Sequence, residues 1–185
     1  MDGKIHDLGG LPRAFRSGAA GINSHNKVCG TSEADSFLDY AWVWTKKSGI
    51  VALPLLYHDG LSRATGINDF GVLVGIAQTS SGAWHAVLWN ASGMIRDLGT
   101  LGGDVAGAFG VNDLTQIVGQ STTSSNVDHA FLWTKEEGMR DLNDLIPARS
   151  GWELRSAIAI NGSGQITGRG TINGETHAYC LTPKN

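Results

Sequence analysis

Short apolar runs, each bounded by Gly, Asn, Asp or Ser, recur along the whole chain. Between residues 64 and 98 they are Ala64–Asn68, Val72–Ala77, Trp84–Trp89 and Met94–Leu98. Five or six residues suits a strand and is too short for a helix, so the pattern predicts four short strands in this stretch. The link Asn68-Asp69-Phe70-Gly71 predicts a hairpin turn, because Asn and Gly tolerate the positive φ such turns demand.

The pattern repeats. Gly21-Ile22-Asn23, Gly66-Ile67-Asn68, Gly110-Val111-Asn112 and Ala159-Ile160-Asn161 align, with Asn-to-Asn spacings of 45, 44 and 49. Gly30, Gly75, Gly119 and Gly168 follow in register. So do Tyr40-Ala41, His85-Ala86, His129-Ala130 and His177-Ala178, and then Trp44, Trp89, Trp133 and Leu181. A fourth set is Asp7-Leu8, Ala52-Leu53, Asp97-Leu98 and Asp141-Leu142. Four strands in a period of about 45 residues is the signature of propeller blades. The expected fold is therefore all-β, a single four-bladed propeller domain over residues 1–185 with four antiparallel strands per blade. Blade one would span about 18–56, blade two 62–101, blade three 106–146, and blade four 154–182 completed by an N-terminal strand at 4–8.

Two details support that architecture. The first strand of each copy carries small residues on one face (Ala64, Gly66; Ala108, Gly110; Ala157, Ala159) and larger ones on the other, as an innermost strand near an axis would. The chain also opens with a fourth-strand element, Ile5-His6-Asp7-Leu8, and ends just after a third-strand element, His177 to Leu181. Pairing the two would close a ring and leave no orphan edge. Two chains sharing one larger ring is the rival, so a monomer or a homodimer is expected.

Composition narrows the function class. Fourteen Lys+Arg against 17 Asp+Glu, with the signs scattered, provide no basic face for nucleic acid. The longest apolar run, Ile50 to Tyr57, is broken by Pro54 and too short to span a bilayer. Met1-Asp2-Gly3-Lys4 leads into no hydrophobic stretch, so no signal peptide is expected. No Gly-x-Ser-x-Gly elbow, phosphate loop, His-Glu-x-x-His or dinucleotide fingerprint is present, and the two cysteines form no Cys-x-x-Cys motif. No cofactor and no metal site is expected.

Asp97-Leu98-Gly99-Thr100-Leu101-Gly102-Gly103, Gly66-Ile67-Asn68-Asp69 and His129-Ala130-Phe131-Leu132-Trp133 resemble the HAF repeat family, named for its His-Ala-Phe triplet. The last copy, with Gly151-Trp152-Glu153-Leu154, Ile160-Asn161-Gly162-Ser163-Gly164-Gln165-Ile166 and His177-Ala178-Tyr179, resembles that family's C-terminal repeat. Copy one departs most, with Tyr40 for His and Ala52 for Asp. The resemblance implies an exported or surface protein of bacteria and specifies no activity.

Residues repeated in every copy are expected to build blades. His85, His129 and His177 should bond within the blade, with Asp97 or Asp141 as partners. The Trp series should pack between blades, and Asn23, Asn68, Asn112 and Asn161 should cap turns. Cys29 and Cys180 stand where other copies have apolar residues and are expected as buried free thiols. Function is expected where the copies differ, in the loops of one rim, which include Glu33, Asp35 and Asp39, Gln78 with Trp84, Thr122 to Asp128, Arg169 to Glu175, and Arg149 to Arg155. A binding or interaction module presenting that rim to a glycan, a peptide or another protein is the favoured reading. Trp84 and Trp152 would stack on a ligand, with Arg155 and Asp104 as polar contacts. The alternative is a propeller enzyme, a lyase or hydrolase, using Tyr57, His58, Asp59 and Arg63, where His58 beside a carboxylate would serve as acid or base and Arg63 would hold an anionic group.

Overall fold

The computed structural model describes residues 3–34 and 38–184, and every regular element but one is a strand. The first copy forms β1 (Ala14–Ile22), β2 (Val28–Ala34), β3 (Leu38–Thr45) and β4 (Gly49–Ala52). The second forms β5 (Ser62–Ile67), β6 (Leu73–Gln78), β7 (Trp84–Trp89) and β8 (Ile95–Gly99). The third forms β9 (Gly102–Val111), β10 (Ile117–Thr123), β11 (Asp128–Thr134) and β12 (Gly138–Asp141), and a 3-10 turn follows at Leu142–Leu145. The last copy has β13 (Trp152–Ile160), β14 (Ile166–Ile172) and β15 (Glu175–Leu181). Within each copy the strands pair antiparallel in chain order. Asp35, one of the rim residues expected above, lies outside the described residues.

The predicted turn forms as expected. Asn68 N donates to Val72 O at 3.0 Å, Gly71 N donates to Asn68 O at 3.1 Å, and Gly71 has φ +78°. A repeated bulge explains the glycine set. In all four copies the register slips on the first strand, at Ala19/Gly21, Ala64/Gly66, Ala108/Gly110 and Ala157/Ala159. The slip aims a first-strand carbonyl at the glycine opposite, so a Cβ on Gly75 would collide with Arg63 O, and one on Gly119 with Gly107 O and the Phe131 ring.

Each copy packs on the next in sequence: β5 on β1, β2 and β3; β9 on β5 and β6; β13 on β9, β10 and β11. Three cores result, one per junction. Cys29, Ala41, Leu73 and Trp89 fill the first; Val74, Ile117, Phe131 and Trp133 the second; Val118, Leu142, Leu154 and Ile166 the third. The small residues of the first strands stand where backbones meet: the Cβ position of Gly110 is 3.0 Å from Ala159 Cα, and that of Gly66 is 3.1 Å from Phe109 O. Trp89 and Trp133 are buried, but Trp44 is only half-buried, and Trp42, two residues earlier, is the core indole of copy one.

The turn asparagines do more than cap. Each Oδ1 accepts backbone N–H bonds from its own turn, as Asn68 does from Val72 at 2.8 Å. Three of them then donate through Nδ2 across the junction to the next asparagine's carbonyl: Asn23 to Asn68 at 3.1 Å, Asn68 to Asn112 at 3.0 Å, Asn112 to Asn161 at 2.9 Å. A carboxylate ladder runs beside it, with Ser24 N donating to Asp69 Oδ1 at 2.8 Å and Asp69 N to Asp113 Oδ1 at 2.9 Å. The bonds from Ser24 hold the Asp69 carboxyl below its ordinary range.

Three expectations are corrected. Residues 4–8 form no strand, and Ile5 is 96% exposed. The last sheet therefore has three strands. The segment stays beside the first sheet, where Leu11 N donates to Ser32 Oγ at 3.2 Å, while β15 lies at the far end of the row. Copies two and three share one eight-stranded sheet, because β7 and β9 pair in parallel at Trp84–Val105. Cys29 is buried as expected, but Cys180 is exposed, since nothing among the described residues covers the outer face of β15.

Candidate functional site

The histidines bond chiefly within their own repeats. His85 Nδ1 meets Asp97 Oδ2 at 2.9 Å, and His129 Nδ1 bonds Asp141 Oδ2, each pair spanning third and fourth strands. Among the described residues His177 has no fourth strand beside it, and it instead meets Glu175 Oε2 at 3.3 Å.

The predicted catalytic group does not assemble. His58 Nδ1 and Asp59 Oδ1 are 2.6 Å apart, but their side chains are 94% and 77% exposed, which leaves the pair to water. Tyr57 lies against Gly60, whose Cβ position would be 3.0 Å from the ring. Arg63 turns the other way: its Nε donates to Asp39 Oδ2 at 2.6 Å, and its guanidinium lies 5.9 Å from the centre of the Trp84 ring. Trp84 is thus half-buried under an arginine at the first junction. Asp104 is exposed on β9. Trp152 meets Tyr179 edge to face at 6.3 Å and lines an apolar groove with Ile146, Pro147 and Leu181. Burial raises the Tyr179 phenol well above its ordinary pKa, and its hydroxyl donates to Ser156 O at 3.1 Å.

Arg155 is placed differently. It lines a polar depression of about 330 Å³ at the third junction, with Gln120, Asp128, Arg169, Thr171 and Thr176. The depression draws on β10 and β11 of one copy and β13, β14 and β15 of the next. Arg155 Nη2 is held by Glu153 Oε2 at 3.1 Å, and Glu153 Oε1 lies 3.6 Å from His129 Nε2. Thr171 Oγ1 also reaches Glu153 Oε2, at 3.4 Å. Among the described residues Arg169 has no ion-pair partner. Its guanidinium therefore keeps all five donors for water or a ligand.

No protein-family model matches the chain, and no curated protein or solved structure matches it either. The site must therefore be read from its own chemistry. One free guanidinium, one carboxylate, an amide and two hydroxyls suit a polyhydroxylated ligand bearing a single negative charge. Asp128, Arg169 and Thr171 fall in rim segments where function was expected, though none was singled out as a contact; Gln120 and Thr176 lie outside those segments. Sequence held one usable signal: Arg169 stands at the position taken by Thr31, Ile76 and Gln120 in the other copies. No described helix is long and apolar enough to cross a membrane.

Proposed function

We propose that this chain is a binding module of propeller-type blades, as the HAF repeat resemblance implies, which presents the depression at the third junction to an acidic glycan. The observation that carries the reading is Arg169, a guanidinium with no ion-pair partner among the described residues, beside Arg155, Asp128, Gln120 and two threonines. A uronate carboxylate accepts a forked pair of bonds from Arg169. Ring hydroxyls donate to Asp128 and exchange bonds with Gln120, Thr171 and Thr176.

The test is calorimetric titration with oligogalacturonate and with its fully methyl-esterified form. Binding of the acid alone, lost by tenfold or more in Arg169→Ala at unchanged melting temperature, is the expected result; a charge-assisted bond of about 1.5–3 kcal/mol sets that scale. Failure of the acid to bind, or equal binding by the variant, overturns the reading. The lyase or hydrolase alternative has its best support at His129, held between Asp141 and Glu153 at the edge of the same depression. Cleavage of the oligosaccharide during titration would move the assignment there.

A further inference from the structure

Among the described residues two sheet surfaces stand open, one on the last sheet and one on the first. The last sheet, among the described residues, stops at β15, with Ala178 and Cys180 exposed and His177 without the aspartate that His85 and His129 have. Ala41, Ala86 and Ala130, which match Ala178 in register, are fully buried. Ile158 is likewise exposed, and Asn161 Nδ2 donates to Gln165 Oε1 at 2.8 Å as Asn112 does to Gln116 Oε1 at 2.7 Å, but among the described residues it lacks the second bond that Asn112 makes across a junction. At the near end β1 is exposed along almost its whole length, whereas its counterparts β5 and β9 are largely covered where they meet the preceding repeat.

The segment ahead of β1 is a fourth strand without a sheet. Ile5-His6-Asp7-Leu8-Gly9 matches Ile95-Arg96-Asp97-Leu98-Gly99, which forms β8. The match extends to conformation. Gly9 N donates to Asp7 Oδ1 at 2.8 Å and Gly99 N to Asp97 Oδ1 at 2.7 Å, both glycines have φ +77°, and Leu11 N and Leu101 N each donate to a second-strand serine. Only the partner strand is missing.

We propose that Ile5–Gly9 of a second copy of this chain adds to β15 as its fourth strand, and that the partner's β1 then covers the last sheet. The register follows from β7 and β8, where Leu88 pairs with Arg96 and Val87 with Asp97. It sets His6 opposite Cys180 and Asp7 opposite Tyr179, which brings Asp7 to His177 as Asp97 is brought to His85. The occupant is a second chain rather than the same one because every internal junction joins sequence neighbours, and among the described residues no comparable packing joins the first sheet to the last. Closing one chain on itself would require all three junctions to bend. A second copy repeats a junction that already exists, a head-to-tail contact between unlike faces. The inference does not depend on what the depression binds.

Cys29 is buried, so Cys180 is the accessible thiol, and His6→Cys supplies its partner. Two differently tagged forms of the His6→Cys chain are mixed, oxidised, and read by non-reducing electrophoresis and peptide mapping. A disulfide from the introduced thiol of one tagged chain to Cys180 of the other, with a native mass of two or more times 19.5 kDa for the unmodified chain, is the expected result. Asp7→Lys should weaken the pair at least tenfold, which is ~1.4 kcal/mol. The same disulfide formed within a single tagged chain would show that the chain closes on itself and would overturn the proposal. A monomeric native mass with no such bond would overturn it too.

Discussion

Asn68→Ala removes one rung of the ladder that ties the second repeat to the third. The side chain is buried, accepts from Val72 N at 2.8 Å and donates to Asn112 O at 3.0 Å. Alanine satisfies neither group and leaves a donor and an acceptor in a junction that admits little water. An orphaned buried polar group costs about 1–3 kcal/mol, so the pair implies a loss of about 2–6 kcal/mol. For a chain of this length 1 kcal/mol moves the melting temperature by about 2–4 °C, which sets the expected fall at about 4–24 °C. Asn90→Ala is the control. Asn90 caps an equivalent turn through Ser92 N at 3.1 Å and Met94 N at 2.9 Å but makes no bond across a junction. Its loss should stay near ~1 kcal/mol. Paired thermal melts followed by circular dichroism decide the matter. Equal shifts in the two variants would mean that the cross-junction bond contributes nothing, and the account of the ladder would fail.

Gly75→Ala drives a Cβ into the Arg63 carbonyl, a backbone atom that cannot swing aside, so the bulge must open. A loss of about 3 kcal/mol or more is expected in urea denaturation, against under ~1 kcal/mol for Gly18→Ala, whose Cβ meets nothing. Burial raises the Cys29 thiol from 9.0 to about 11. The folded thiol stays neutral where the unfolded one ionises, so its contribution is present below pH 9.0 and is lost as pH rises through 11. Cys29→Val, which installs the residue found at Val74 and Val118, should flatten the alkaline fall in urea stability; an unchanged pH profile would remove Cys29 as its cause.

Much of the fold was legible because each repeat states it again. The strand lengths, the turn at Asn68–Gly71 and the pairing of His85 with Asp97 all depend on residues within one copy. What escaped depends on neighbours the sequence does not place side by side. The second hydrogen bond of Asn68 crosses a junction, and so does the contact of Arg63 with Asp39. The depression draws its side chains from two copies; the rim segments held Asp128, Arg155, Arg169 and Thr171, but nothing in the sequence said that they meet. Trp84 stands where copies one and three have Asp39 and Asp128; there β7 pairs with β9 in parallel, and neither Trp84 nor Val105, which meet there, carries a carboxylate. The Tyr57–His58–Asp59 cluster illustrates the converse, since adjacency along a loop brought Arg63 no closer to His58.

Because the three cores lie between adjacent repeats and none spans the whole chain, rigidity is unevenly shared. An inner repeat is clamped on two sides and an outer one on a single side, so opening costs most in the shared eight-stranded sheet and least at the two ends. In the unassociated chain the amide protons of β6 and β10 belong to the slowest-exchanging class, and those of β1 and β15 exchange through fraying that leaves the middle intact. The molecule behaves less like one cooperative unit than like a short stack whose outer layers breathe while its centre holds shape.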